Sequence, residues 1–446
     1  MTRASGPRGP ALWQTLRAIT HPIRFLEASA ARYGDPFVAR VLGHNSPPVV
    51  FAGTPDAIRA IFEAPADCFE LGRLTHVFTP LTGDHSLVRL DGERHRQRRQ
   101  LLAPPLHGER LYRHGPFICQ TTQAIAARLP RQGDWRLRPW MAAITLPVIL
   151  RVALGRTQGA RCERMQSLLE RVLAVTAHPL YSTLFFFPPL QRDWGRWSPW
   201  GHFVRLRQQL DALLYAEIAE RRASGGDGGD DALSMLLAAQ DTNGNPLTDT
   251  ELRDQLMTLL LLGHETTASS LAWALRWIHA LPAIERCLRQ ELAQLGPQPD
   301  PSAIAALPYL DAVCRETLRI HPVALIAQPR VLAQPFPLQG VTYPPGAVLV
   351  PCIQLAHRRA AAFPQPERFR PERFWGEGPA PYTYLPFGGG ARACLGAALS
   401  LYEMKLAITT LLSHVQLELR EPAAAHPVRR GITMVPAGSV RMAVRA

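Results

Sequence analysis

Residues 387–396 read Phe-Gly-Gly-Gly-Ala-Arg-Ala-Cys-Leu-Gly, and their types and order could do chemistry together. Three successive glycines let the backbone turn tightly and approach a flat ligand closely. Cys394 then comes at the predicted start of the last helix. Amide N–H groups and the positive end of the helix dipole stabilise a thiolate there. Arg392 can pair with an anionic group on the same ligand, and Phe387 can cover the sulfur and keep water away. Cys394 alone would more often be a buried thiol at a helix start, and a catalytic nucleophile would need a His base, which is not adjacent. The whole pattern is F-x-x-G-x-R-x-C-x-G, closed by Gly396. Its fixed positions, at about one in twenty each, recur by chance in about one chain in ten thousand.

A second constellation is Gly263-His264-Glu265-Thr266-Thr267. It falls in the middle of a helix predicted from Thr248, capped by Glu251, to about Ala280, where Pro282 stops it. Such a helix would be about 50 Å long and would cross the molecule. Most of its faces are apolar, so it should be buried, and polar groups inside it cost free energy unless they are satisfied or used. A carboxylate (Glu265) beside a hydroxyl (Thr266) can relay protons into a site without flooding it with water. The common alternative is a threonine that bonds back to its own helix carbonyl.

Together these segments resemble the cytochrome P450 family, whose cysteine thiolate ligates haem iron, and the resemblance covers roughly residues 21–440. It implies a mainly α fold with small β-sheets and a long central helix over the haem. One domain is expected over 1–446, with residues 1–20 as a loosely ordered extension. The implied cofactor is haem b (iron protoporphyrin IX), with Cys394 as the one metal ligand; thiolate ligation favours O–O cleavage. By the same resemblance His95, Arg99, Arg330 and Arg392 contact the haem propionates, Glu265 and Thr266 form the oxygen-activation motif, and Glu316, Arg319 and Arg373 form a buried structural triad. Leu262 stands where the family has a small residue, and it should project toward the haem or the substrate space. Leu325 and Ile326, in the apolar stretch before Arg330, are expected to face the substrate. Arg359, in His357-Arg358-Arg359, replaces the family's acid.

The elements around these motifs fit that reading. A helix is predicted around 21–33, strands at Phe37–Val41 and Val49–Phe51, a helix opening at Thr54-Pro55, a long loop over 64–90, helices from Gly92 to about Ala280, then 283–295, 308–320 and 395–413. The aromatic segment Phe185-Phe186-Phe187-Pro188-Pro189, with Trp194, Trp197 and Trp200, lies where the family places a mobile roof over its substrate channel.

Composition narrows the partners. Lys405 is the one lysine, so 48 of the 49 basic residues are arginine, and the net charge is +13. A basic surface suits an acidic protein partner, whereas no zinc-finger, recognition-helix or aromatic–basic RNA pattern supports nucleic acid. Seven scattered cysteines without a C-x-x-C pair exclude a disulfide framework and a structural zinc site. The polar N-terminus and the short apolar runs predict no signal peptide and no transmembrane segment, hence a cytoplasmic protein, expected as a monomer. The expected activity is insertion of one oxygen atom from O2 into an apolar small molecule (fatty acid, alkane or terpene-like), by hydroxylation or epoxidation. Electrons would come from NAD(P)H through a separate ferredoxin or flavodoxin and its reductase, since no Gly-rich dinucleotide motif is present. The alternatives are a peroxide-driven hydroxylase on the same fold and a non-catalytic haem sensor or electron carrier.

Overall fold

The computed structural model describes residues 5–177, 184–185, 191–195, 197–225, 229–241, 244–296, 299–376, 378–420, 425–437 and 440–445. The chain divides into two compact units, each built from separate stretches of sequence. The first comprises Met1–Thr75 and Arg315–Cys394; the second comprises His76–Cys314 and Leu395–Ala446.

The first unit is organised by a five-stranded sheet in the order Phe37–Ala39, Val49–Ala52, Val348–Pro351, Arg330–Leu332, Phe69–Glu70. Only the pairing of Val49–Ala52 with Val348–Pro351 is parallel. Phe37 and Phe51 stack across the sheet at 5.1 Å, and Phe25, from the helix Pro22–Tyr33, meets both rings edge-on. Thr54 caps the helix Pro55–Glu63, its side chain accepting from the Ala57 amide at 3.3 Å. Within the segment 1–20 expected as a loosely ordered extension, Ala11–Thr20 is helical. Gln14 anchors this helix, donating to the Pro7 and Gly9 carbonyls and accepting from the Arg40 amide at 2.9 Å. These bonds satisfy a buried amide that a mobile tail could not hold.

The second unit is a helical bundle with a three-stranded sheet and a hairpin. Leu137–Leu154 packs along Glu265–Ala280, and Gly115–Arg128 packs along Ala397–His414. Leu137–Leu154 is long and apolar enough to cross a membrane, which the sequence reading did not expect of any segment. Its apolar faces are buried within this unit, including Met141, Ile144, Leu146, Ile149 and Leu150, and a core helix passes the same length and composition test.

The predicted helix over 248–280 is two helices, Asp249–Leu262 and Glu265–Ala280. The first opens with the predicted capping box: Thr248 accepts from the Glu251 amide, and Glu251 accepts from the Thr248 amide at 3.0 Å. The interruption at Gly263-His264 has a local cause. Thr266 Oγ1 donates to the Leu262 carbonyl at 3.2 Å, competing for a carbonyl the helix would otherwise use, and Thr145 Oγ1 donates at 3.2 Å to the His264 carbonyl, which also accepts from the Ala268 amide. Ile149 also crosses at this point, and a Cβ on Gly263 would lie 2.5 Å from its Cδ1.

The loop over 64–90 contains short turns and the helix Thr79–Thr82. Its residues 85–87 are tied to the buried polar face of Asp249–Leu262: the His85 amide donates to Asp254 at 2.9 Å, the Leu87 amide to Gln255 at 3.1 Å, and Ser86 and Thr258 share a hydrogen bond at 2.7 Å.

Candidate functional site

In the first unit the cysteine loop is shaped by its glycines. Gly388 and Gly390 have φ of +70° and +65°, which side chains disfavour. Gly389 is extended, and a Cβ there would lie 2.3 Å from the Phe62 ring. The Cys394 amide donates to the Phe387 carbonyl at 2.8 Å and closes the loop. Cys394 is exposed, whereas Cys68, Cys162, Cys314 and Cys352 are buried. Burial pushes the Cys352 thiol up to about 12, which suits a packing role. Cys394 does not open the last helix, as the sequence predicts. That helix is Ala397–His414 with Gly396 at its N-cap, and the turn Gly390–Arg392 with the loop-closing bond holds Cys394 just ahead of it. The dipole contribution to a thiolate is correspondingly smaller than at a first-turn position.

Arg330 supplies the test of whether this loop suits an anionic prosthetic group. It is 4% exposed, between the rings of Phe62 and Phe69 at 4.9 and 5.2 Å. It donates to the Ile61 carbonyl, and its Nε is buried without a partner. Burial first, and the charge of Arg392 second, push it down to about 10. No carboxylate of the described residues pairs with it. A buried cation beside a second cation is costly until an anion arrives, so these residues fit the carboxylate edge of a haem. Among the described residues no cluster of three or more His, Cys, Asp or Glu side chains could hold a metal by itself.

Behind the loop lies the Glu316 network. Glu316 and Arg319 are fully buried and paired at 2.6 Å, and Arg373 Nε lies 3.4 Å from Glu316. Glu316 also accepts from the Arg370 amide at 2.8 Å, while Arg319 donates to the carbonyls of His357 and Arg368. His357 joins the network, with Nδ1 3.1 Å from the Arg319 carbonyl and Nε2 accepting from the Leu385 amide at 2.9 Å. Burial, then the charge of Arg319, hold the ring neutral, with its pKa down to about 3. Arg359 pairs with Asp35 at 2.5 Å, so an acid remains here but comes from another segment. Leu325 and Ile326 are half-buried against the core of this unit; neither lines the cavity described below.

In the second unit His95 is buried and Arg99 half-buried on the helix Gly92–Leu102. Arg98 is not on a solvated face with Arg94 and Arg96, as the sequence suggests. It is 8% exposed and pairs with Glu251, because positions 95, 98 and 102 share the inward face of this helix.

The helix break borders a cavity that is partly open to solvent. Leu261, Leu262, Glu265 and Thr266 form one wall; the remainder includes Phe78, Leu81, Leu173, Phe185 and the hairpin residues Arg429–Thr433. Phe185 meets Trp200 and Phe203 edge-on at 5.5 and 5.1 Å, whereas Trp194 and Trp197 are exposed. Phe186–Pro189 lie outside the described residues. Glu265 is 15% exposed; Arg138 Nη1 holds it at 2.8 Å and Arg430 Nη2 lies 3.9 Å away. The sequence reading missed both arginines, and also His264. The His264 ring is buried in the break with neither nitrogen hydrogen-bonded, and burial pushes it down to about 4.

The family model for cytochrome P450 matches residues 5–438. The chain is 37% identical to the Mycobacterium bovis protein named cytochrome P450 135B1, over 99% of this chain and 91% of the relative. It is 32% identical to the Mycobacterium tuberculosis protein named cytochrome P450 138, over 98% of this chain and 95% of that one. Among solved structures it is similar to the retinoic acid-bound cyanobacterial CYP120A1, with a TM-score of 0.85, 26% identity and full coverage of both chains. A cytochrome P450DA haem domain superposes with the same TM-score at 22% identity, which supports the fold. The chain belongs to the cytochrome P450 family, the haem monooxygenases.

Proposed function

We propose that this chain hydroxylates or epoxidises an apolar small molecule held in the cavity at the helix break, using O2 and electrons delivered by a separate ferredoxin or flavodoxin system. The observation that carries this reading is the cavity wall itself, where an acid and an alcohol, Glu265 and Thr266, stand among Leu261, Leu262 and Phe185. Haem b bound through Cys394 supplies the oxygen-activating chemistry. Arg330, Arg392, His95 and Arg99 would hold its carboxylates. Glu265, paired with Arg138 and approached by Arg430, carries protons in from solvent at its carboxylate oxygens. Thr266 passes them on from Oγ1, which rests on the Leu262 carbonyl between transfers. The apolar lining limits water, so protons enter by this route rather than through the substrate space. Exposed Arg94 and Arg96 offer a docking face to an acidic redox protein.

Two measurements test the reading. The reduced protein under carbon monoxide should show the red-shifted band of thiolate ligation, and Cys394→Ala should lose it with the other six cysteines intact. Purified protein with reductase, ferredoxin, NAD(P)H and an apolar substrate should form oxygenated product. Product that appears with peroxide alone and never with the reductase system would overturn the O2-dependent assignment.

A further inference from the structure

The cavity at the helix break carries more positive charge than an uncharged apolar substrate needs. Its described lining includes three charged side chains, Glu265, Arg429 and Arg430. Glu265 is committed: Arg138 holds it at 2.8 Å and Arg430 approaches at 3.9 Å. Arg429 has no such partner. It lies on the strand Pro427–Arg430, which pairs with Thr433–Pro436 across a tight turn where Gly431 has φ +59°. Its Nε donates to the Gly431 carbonyl at 2.8 Å, which orients the guanidinium. Beyond that bond, no acceptor among the described residues meets its two Nη groups, and no carboxylate pairs with it. Burial alone lowers its pKa, with no acidic neighbour to offset it. A half-buried guanidinium that lines an apolar cleft with no acid paired to it is matched by a planar or tetrahedral oxyanion, to which it can donate two parallel hydrogen bonds.

We propose that the cavity takes a slender apolar molecule ending in an anionic oxyacid head, a carboxylate or a sulfate, and that Arg429 holds that head. The apolar chain then runs along Leu81, Leu173 and Leu262 toward Thr266, all of which line the same cavity. Arg429 sets specificity through binding and takes no part in proton transfer. The oxidation of such a substrate rests on the monooxygenase reading; its binding does not.

The test uses the holoprotein at pH 7.5 with decanoate, decyl sulfate and methyl decanoate, each below its micelle concentration. Binding is read by calorimetry and by the shift in haem absorption. The wild type should bind the two anions at least about tenfold more tightly than the ester, a difference of about 1.4 kcal/mol. Arg429→Gln should abolish that preference with less than about a twofold change for the ester, and Arg429→Lys should retain part of it. Preference for decanoate over decyl sulfate would identify a carboxylate head, and equal affinity would identify recognition of oxyanions in general; both support the proposal. Equal affinity for anions and ester in the wild type, or a preference that survives Arg429→Gln, would overturn it. The carbon monoxide spectrum of the same samples separates the two readings: a normal thiolate band without anion selectivity sinks this inference alone. Calorimetric selectivity without that band sinks the haem-thiolate assignment alone.

Discussion

Glu316 and Glu265 each face two arginines. Glu316 is fully buried, paired with Arg319 at 2.6 Å and Arg373 at 3.4 Å, and takes a further bond from the Arg370 amide. Glu265 keeps 15% of its side chain exposed, at a cavity wall, with Arg138 at 2.8 Å and Arg430 at 3.9 Å. The Glu316 arginines spend further donors on the carbonyls of His357, Arg368 and Gln365, so the network spans three segments of chain. Around Glu265 the second arginine stands farther off, at 3.9 Å against 3.4 Å, although the Nε atoms of both Arg430 and Arg373 are buried without a hydrogen-bond partner. The same residue types therefore serve two ends. Complete burial with further backbone bonds makes a clasp, whereas a position beside a cavity leaves the Glu265 carboxylate partly open to solvent.

The largest expected effect breaks the clasp. Glu316→Ala leaves Arg319 and Arg373 as buried unpaired charges and should cost about 3–5 kcal/mol, read by denaturant unfolding of the holoprotein together with haem retention. Glu265→Gln should cost only about 1 kcal/mol while lowering product formation. Equal losses of stability would erase the distinction.

The next effect compares the histidines in the two regions. His357 and His264 are held neutral, with folded pKa values of about 3 and about 4, below the ordinary 6.5. The unfolded chain therefore takes up the proton first, and stability falls as pH drops below 6.5. The loss levels off below about 4 for His264 and below about 3 for His357. Between pH 6.5 and 4.5 each ring should contribute a loss of about 2–3 kcal/mol. Subtracting the unfolding profile of His264→Leu from that of the parent isolates one share, and a flat difference would refute it.

Thr266→Ala should change stability by less than about 1 kcal/mol, since its bond returns to its own helix. It should nevertheless lower product per NAD(P)H several-fold. An unchanged ratio would make the hydroxyl a local prop, like the hydroxyl of Ser269, which donates to the Glu265 carbonyl at 2.8 Å. Leu262→Ala should cost about 1 kcal/mol, as expected for a half-buried side chain. Its signature is a wider ligand range, seen as new spectral shifts with ring compounds; the same range as the parent would show that Leu262 does not narrow the cavity.

Much of the first unit's site could be read along the chain. Glu316 and Arg319 lie one helical turn apart, and Phe387, Gly390, Arg392, Cys394 and Gly396 lie within ten residues, so spacing alone carries the pattern. His357 was less legible, because its role depends on bonds to Arg319 and Leu385, which lie far from it in sequence. The long helix illustrates the limit from the other side. Its caps and apolar faces were evident, but the break at Gly263-His264 required Thr145 and Ile149 from another helix.

The sequence by itself determined the glycine-rich cysteine loop, the helix bearing Glu316 and Arg319, and the adjacency of Glu265 and Thr266, because each depends on residues close enough in the chain for backbone geometry to align them. Tertiary structure decided which charges face one another. Arg138 and Arg430 reach Glu265 from 127 and 165 residues away, Arg98 turns inward to Glu251, and Arg429 is left at the cavity without an acid. Charge pairing acts over a few ångströms of space with no dependence on separation along the chain, so only the folded packing of the hairpin and helices could assign these partners.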